Sequence, residues 1–134
     1  MAPERVRFQT YTMERLTNGR CHASVMLTLG DDREFKGESS GLSSQAGELR
    51  CSAEACAQAL ALSVGNAVEF EVLGVKAVRA FDSMVVIVSL ALKADDGPHR
   101  LVGCCLTEQD PSRGAALAVL NATNRLLGNR FFLR

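Results

Sequence analysis

The chain has 134 residues, of which 47% are apolar and 22% charged, with 15 Lys plus Arg set against 15 Asp plus Glu. A chain of this length buries roughly two-thirds of its unfolded surface, so it requires no disulfide or metal staple, and its composition excludes global disorder. A net charge of zero lacks the basic excess by which a nucleic-acid binder neutralises phosphates, and it weakens the repulsion that keeps copies apart.

Residues 5–16 place Val6, Phe8 and Thr10 on one parity, which predicts a first strand. Asn18-Gly19 marks a tight hairpin, because both residues tolerate positive φ. Residues 20–29 continue the alternation through Val25, Leu27 and Leu29, Gly30-Asp31-Asp32 turns the chain, and 34–39 make a third strand. A helix follows, with Leu49, Ala53, Cys56, Ala57, Leu60 and Val64 on one face and Gly65 as its left-handed terminus.

The next strand covers 67–81, where Gly74 marks a bulge. Residues 84–93 and 100–107 make two more, separated by the turn residues of 94–98. The run 84–92 is apolar on both parities, which predicts cover on both faces, with helices on one side and a partner chain as one source of cover on the other. Asp110-Pro111 opens a second helix, as N-cap and first helical residue. Its stripe runs through Ala115, Ala116, Val119, Leu120, Thr123, Leu126 and Leu127, and Gly128 is expected to end it. The apolar tail 129–134 is expected to be buried, by extending the helix onto the core or by docking on a partner.

The second half echoes the first. Val25, Leu27 and Leu29 return as Val88, Leu90 and Leu92; Gly37 returns as Gly103; Ala53, Ala55 and Ala59 return as Ala116, Ala118 and Ala122. Both halves read strand, strand, strand, helix. The expected fold is therefore α+β, a single domain over 1–134 made of β-β-β-α units at about 5–65 and 67–128, with two helices packed on one face of an antiparallel sheet. The six strands form one sheet, or each unit packs separately.

Two segments resemble a known pattern. Gly37-Glu38-Ser39-Ser40-Gly41 before an Ala-rich helix, and Leu101-Val102-Gly103 before Ala115-Ala116-Leu117-Ala118-Val119-Leu120-Asn121, are similar to the glycine-bearing strand ends and following helices of the C-terminal regulatory domain of the 2-isopropylmalate synthase family. The resemblance implies a tandem β-β-β-α architecture, a dimer, and an amino-acid ligand held at the dimer interface. Ser39 stands where the family pattern carries a second glycine.

The polar groups offer two candidate ligand sets. Gly41, Ser43 and Ser44 precede the first helix, where backbone amides and hydroxyls can surround an anion, and Arg50 one turn in can pair a carboxylate. The alternative there is an N-cap serine and a solvated arginine. Asn121, Asn124 and Arg125 share a stretch of the second helix, where asparagine is otherwise unfavourable. They contact a ligand or a second protomer, or Asn121 tethers a neighbouring loop.

Cys21, Cys51, Cys56, Cys104 and Cys105 are odd in number and irregular in spacing, so no disulfide framework is expected. Adjacent strand residues point to opposite faces, so Cys104 and Cys105 do not ligate one metal, and no metal or cofactor is expected. Only His22 and His99 can serve as imidazole bases, and no nucleotide, zinc-protease or calcium-loop motif is present. Residues 1–9 lack an apolar signal core and 84–92 is too short to span a bilayer, so a reducing cytoplasmic setting without membrane contact is expected. The reading that follows is a stand-alone regulatory or small-molecule-sensing module, non-catalytic and homodimeric. Its alternative is a structural or protein–protein interaction module without a ligand.

Overall fold

The computed structural model of the chain describes residues 6–30, 32–65, 68–94 and 97–132, and the side chains of these apart from 94 and 125–132. The elements run β1 (Val6–Arg15), β2 (Arg20–Leu29), β3 (Arg33–Leu42), α1 (Gln45–Ser63), β4 (Glu69–Ala80), β5 (Ser83–Ala94), β6 (Gly97–Thr107) and α2 (Pro111–Phe132). The fold is α+β, with the β-β-β-α order occurring twice. The strands divide into two antiparallel sheets of three, ordered β1-β2-β3 and β4-β5-β6, so the arrangement is one sheet per unit and not a single six-stranded sheet. A helix keeps the sheets apart. α1 touches both β3 and β4, and Arg50 on α1 donates to the Val72 carbonyl at 2.8 Å, filling an acceptor that a joining strand would need.

Each helix covers the inner face of its own sheet, and the two helices pack on each other. Cys21, Ala23, Val25, Leu27 and Leu29 of β2 and Val86, Val88, Leu90 and Leu92 of β5 are the inward parities, all buried. Residues of both units enter one core cluster. α1 is buried beyond its predicted stripe, since Cys51, Ser52, Ala55 and Ala59 are covered as well. It meets its own sheet, β4 and α2 at once, and small side chains on several faces allow that.

The glycine and alanine echoes mark the closest approaches. A Cβ on Gly37 would collide with the backbone of Ala55 and Ala59, and one on Gly103 with the backbone of Ala118 and with Ala122. Strand and helix touch there without an intervening side chain. Both units also carry a bulge, between Val72 and Gly74 in β4 and between Phe8 and Thr10 in β1. Gly74 announces the bulge in β4; the one in β1 has no glycine and leaves no mark in the sequence.

The termini follow their capping residues. The Ser44 side chain accepts from the Gly47 amide at 3.0 Å, so α1 starts at Gln45 and only Ser43 and Ser44 link it to β3. Gly65 has φ +66 and its amide reaches the Leu62 carbonyl, as a left-handed helix end requires. Asp110 accepts from the Arg113 amide at 3.2 Å at the start of α2. α2 then continues through Gly128 to Phe132. A glycine inside a helix costs about 1 kcal/mol, which the helix formers around it outweigh, so it permits a stop without imposing one.

The outer faces of the two sheets differ. On the first, register aligns Glu14, His22 and Ser40, then Thr12, Ser24 and Glu38, then Arg7, Thr28 and Glu34. On the second it aligns Val78, Val85 and Leu106, then Lys76, Ile87 and Cys104, then Gly74, Ser89 and Val102, then Glu71, Ala91 and Arg100. One outer face is polar and the other is apolar at its centre.

Candidate functional site

The candidate ligand residues separate into distinct places. Gly41 lies within β3, opposite Cys21, and a Cβ there would meet the Cys51 sulfur, so its smallness serves packing. Ser43 donates to Glu48 at 2.7 Å, and Ser44 is occupied as the α1 cap. Asn121 donates to the Cys104 carbonyl at 2.9 Å, Asn124 is exposed, and the Arg125 side chain lies outside the described ones. Among the candidates with described side chains, Arg50 lines a cleft of about 710 Å³ and the others do not.

Repeat geometry accounts for Asn121. Its counterpart on α1 is Gln58, whose side-chain oxygen accepts from the Glu38 amide at 2.8 Å. Glu38 and Cys104 each follow the close-approach glycine of their strand. In both units a helix amide side chain therefore engages the edge strand at the same place. The arginines obey a similar rule. Arg50 reaches Val72 on β4 of the second unit, and Arg113 on α2 lies 5.2 Å over the Phe8 ring on β1 of the first. Each helix braces the other unit beside its bulge.

One opening sits where the N-termini of the two helices meet, at about 620 Å³, lined by Arg15, Glu48, Asp110 and Ser112 among others. Its positive helix ends already face carboxylates. Arg15 donates twice to Glu48, at 2.8 and 2.9 Å, and these bonds, with that from Ser43, hold the Glu48 carboxyl below its ordinary range. Tyr11 behind it shares a 2.9 Å hydrogen bond with Ser52, and burial raises its phenol.

Another opening, about 710 Å³, lies between α1 and β4 and draws on both units. It carries four carboxylates, Glu38, Glu54, Glu69 and Glu71, and two cations, Arg50 and Lys93. Arg50 pairs Glu54 at 3.3 Å and Lys93 pairs Glu71 at 3.7 Å. Ser39 donates to Glu54 at 3.0 Å. Hydrogen bonds from His22 first, then Lys36, keep the Glu38 carboxyl low. Charges of both signs thus line one hollow, with acid in excess.

Two other constellations were open to the sequence. His22 makes hydrogen bonds to Ser40 at 2.7 Å and Glu38 at 3.3 Å, the order of a serine triad. These three stand on the flat outer face of the first sheet, and His22 and Ser40 line neither opening. A triad needs donors aimed at a developing oxyanion and shelter from water, which a flat strand row does not offer. Among the described residues no group of three or more His, Cys, Asp or Glu could hold a metal ion. Cys104 and Cys105 face opposite ways, the former exposed and the latter packed against the core.

The buried thiols are chemically quiet. Cys21 and Cys51 lie 4.0 Å apart, burial raises Cys51 to about 11, and full burial raises Cys56 to about 12. Thiolate is the reactive form. In dilute native protein at neutral pH, iodoacetamide should therefore label Cys104 first and spare Cys21, Cys51 and Cys56 until the chain unfolds. Peptide mass mapping checks this, and native labelling of Cys51 as fast as Cys104 would contradict it.

Among the described residues no helix is long and apolar enough to cross a membrane. Set against models of known protein families the chain matches none, and among curated proteins it finds no relative.

Proposed function

We propose that this chain is a non-catalytic, homodimeric sensing module that binds a small amphoteric molecule of the amino-acid class in the cleft between α1 and β4. The mixed charge of that cleft carries the reading. Arg50 and Lys93 suit a ligand carboxylate, and the surplus of glutamates suits its amine. The lining comes from both units, so a ligand there would set how they sit against each other, which is what a regulatory module requires. The resemblance to the 2-isopropylmalate synthase regulatory domain supports the same class of ligand.

A thermal-shift screen of amino acids and short organic acids tests it. A ligand at about 100 times its Kd contributes about 2.7 kcal/mol and should raise Tm by about 8 °C. Arg50→Ala should erase that shift while lowering the unliganded Tm by only a few degrees, through loss of about 1 kcal/mol at the Val72 carbonyl. No shift with any member of the screen would remove the ligand from the reading. The second reading, an interaction module without a ligand, draws on the apolar outer face of the second sheet.

A further inference from the structure

We infer that the outer face of the β4-β5-β6 sheet is the surface on which a second copy of this chain docks. The inference names the interface for the dimeric part of the reading above and shares Glu71 with its ligand cleft, so Val102→Glu, outside that cleft, tests the face apart from the ligand. Val102 is 68% exposed, Leu106 64%, Leu73 41% and Ile87 37%, all on one sheet. Isolated apolar residues on a surface are ordinary, whereas a contiguous set marks a contact. The chain supplies its own comparison. The corresponding face of the first sheet, built from the same strand order, carries Glu14, His22, Glu38 and Ser40. Two equivalent positions in one fold thus differ in chemistry: the second face shows Val78, Ile87, Val102 and Leu106 beside one exposed lysine, Lys76, where the first is mostly polar.

The size and charge of the face fit a copy of itself. Three strands about 4.8 Å apart, each of about ten residues rising about 3.4 Å, give roughly 500 Å² in flat projection. Side-chain relief brings this toward the ~800 Å² per partner of a standard stable interface. A two-fold axis parallel to β5 lays β4 over the partner's β6. Val78 and Leu106 share one row, so each then meets its counterpart's opposite member. Glu71 and Arg100 share another row on either side of Ala91, so Glu71, which also pairs Lys93 of its own chain at 3.7 Å, faces the partner's Arg100 twice, once from each copy. A partner of unrelated sequence would not need acid and base placed symmetrically about the central strand.

Sedimentation equilibrium on the full chain tests the proposal, with circular dichroism confirming that each variant folds. The wild type is expected to dimerise at micromolar concentration. Val102→Glu should weaken association about 100-fold, because it buries a charge against an apolar face. Glu71→Arg and Arg100→Glu should each weaken it about tenfold, and the double exchange should restore it. Alkylation of Cys104, in the same rows, should slow as the dimer forms. A dimer unmoved by Val102→Glu would overturn this face while leaving a dimer to be placed elsewhere. A wild type monomeric at about 100 µM, roughly the upper limit of a biologically useful Kd, would overturn both and leave the face to a different protein.

Discussion

Gly37→Ala and Gly103→Ala should each lower stability by about 3 kcal/mol, and the double variant should not fold. The added methyl has no soft neighbour to displace. At Gly37 it meets the Ala55 carbonyl and the Ala59 amide of α1; at Gly103 it meets the Ala118 carbonyl and Ala122 of α2. Backbone inside a packed helix cannot step aside singly, so the helix must lift from its sheet as a body. Overpacking a native core typically costs 1–3 kcal/mol, and the upper part of that range applies to such a rigid obstacle, lowering Tm by about 10 °C. Gly74→Ala is the internal control. Nothing lies within 4 Å of its Cβ position, and that variant should stay within about 0.5 kcal/mol of wild type. Urea unfolding of the three variants checks the series, and equal effects at Gly37 and Gly74 would refute the close-approach account.

The second large effect is a gain. The hairpin between β4 and β5 turns on Phe81 and Asp82, both left-handed, with φ +53 and +62. A two-residue turn of this hand favours Asn-Gly, because a bulky side chain there crowds its own backbone at about 1–2 kcal/mol. Phe81 is also 94% exposed, so no packing offsets the strain within the chain. Phe81→Asn with Asp82→Gly should therefore raise stability by about 2 kcal/mol and Tm by about 5 °C. The first unit's corresponding hairpin carries Asn18-Gly19 in a longer turn, with only Gly19 left-handed. Heat denaturation at low protein concentration measures the change; an unaltered Tm would show that the wild-type turn bears no strain.

Much of the architecture was legible because local and global signals agreed. Period-two patterning located all six strands, and the paired glycines and alanines located the sheet–helix contacts. The pattern ends β3 too early, at Ser39, because Ser40 and Gly41 are turn-forming residues, yet Ser40, Gly41 and Leu42 all pair with β2. Gly128 predicts too early an end for α2, since a single glycine does not outweigh the helix formers on either side of it. The candidate site was less legible. Gly41, Ser43, Ser44 and Arg50 are close in sequence, but the strand end, the cap and the helix face send them to different jobs. The cleft instead joins Arg50 to Glu71 and Lys93, residues more than twenty positions away whose proximity depends on α1 meeting the second unit. Gln58 gave no signal, since a glutamine on an exposed helix face looks like any solvated side chain until its strand partner is known.

The amide grips of Gln58 and Asn121 bear on how this molecule avoids polymerising. An open strand border, with its row of unmet hydrogen-bonding groups, is a template on which a foreign strand can add and a ribbon can grow. Here Gln58 holds β3 and Asn121 holds β6, while Arg50 does the same for β4. Lateral growth at these borders would first have to displace a side chain anchored on a helix. Removing the grips, as in Gln58→Ala with Asn121→Ala, would expose those borders to fibril formation without touching the hydrophobic interior.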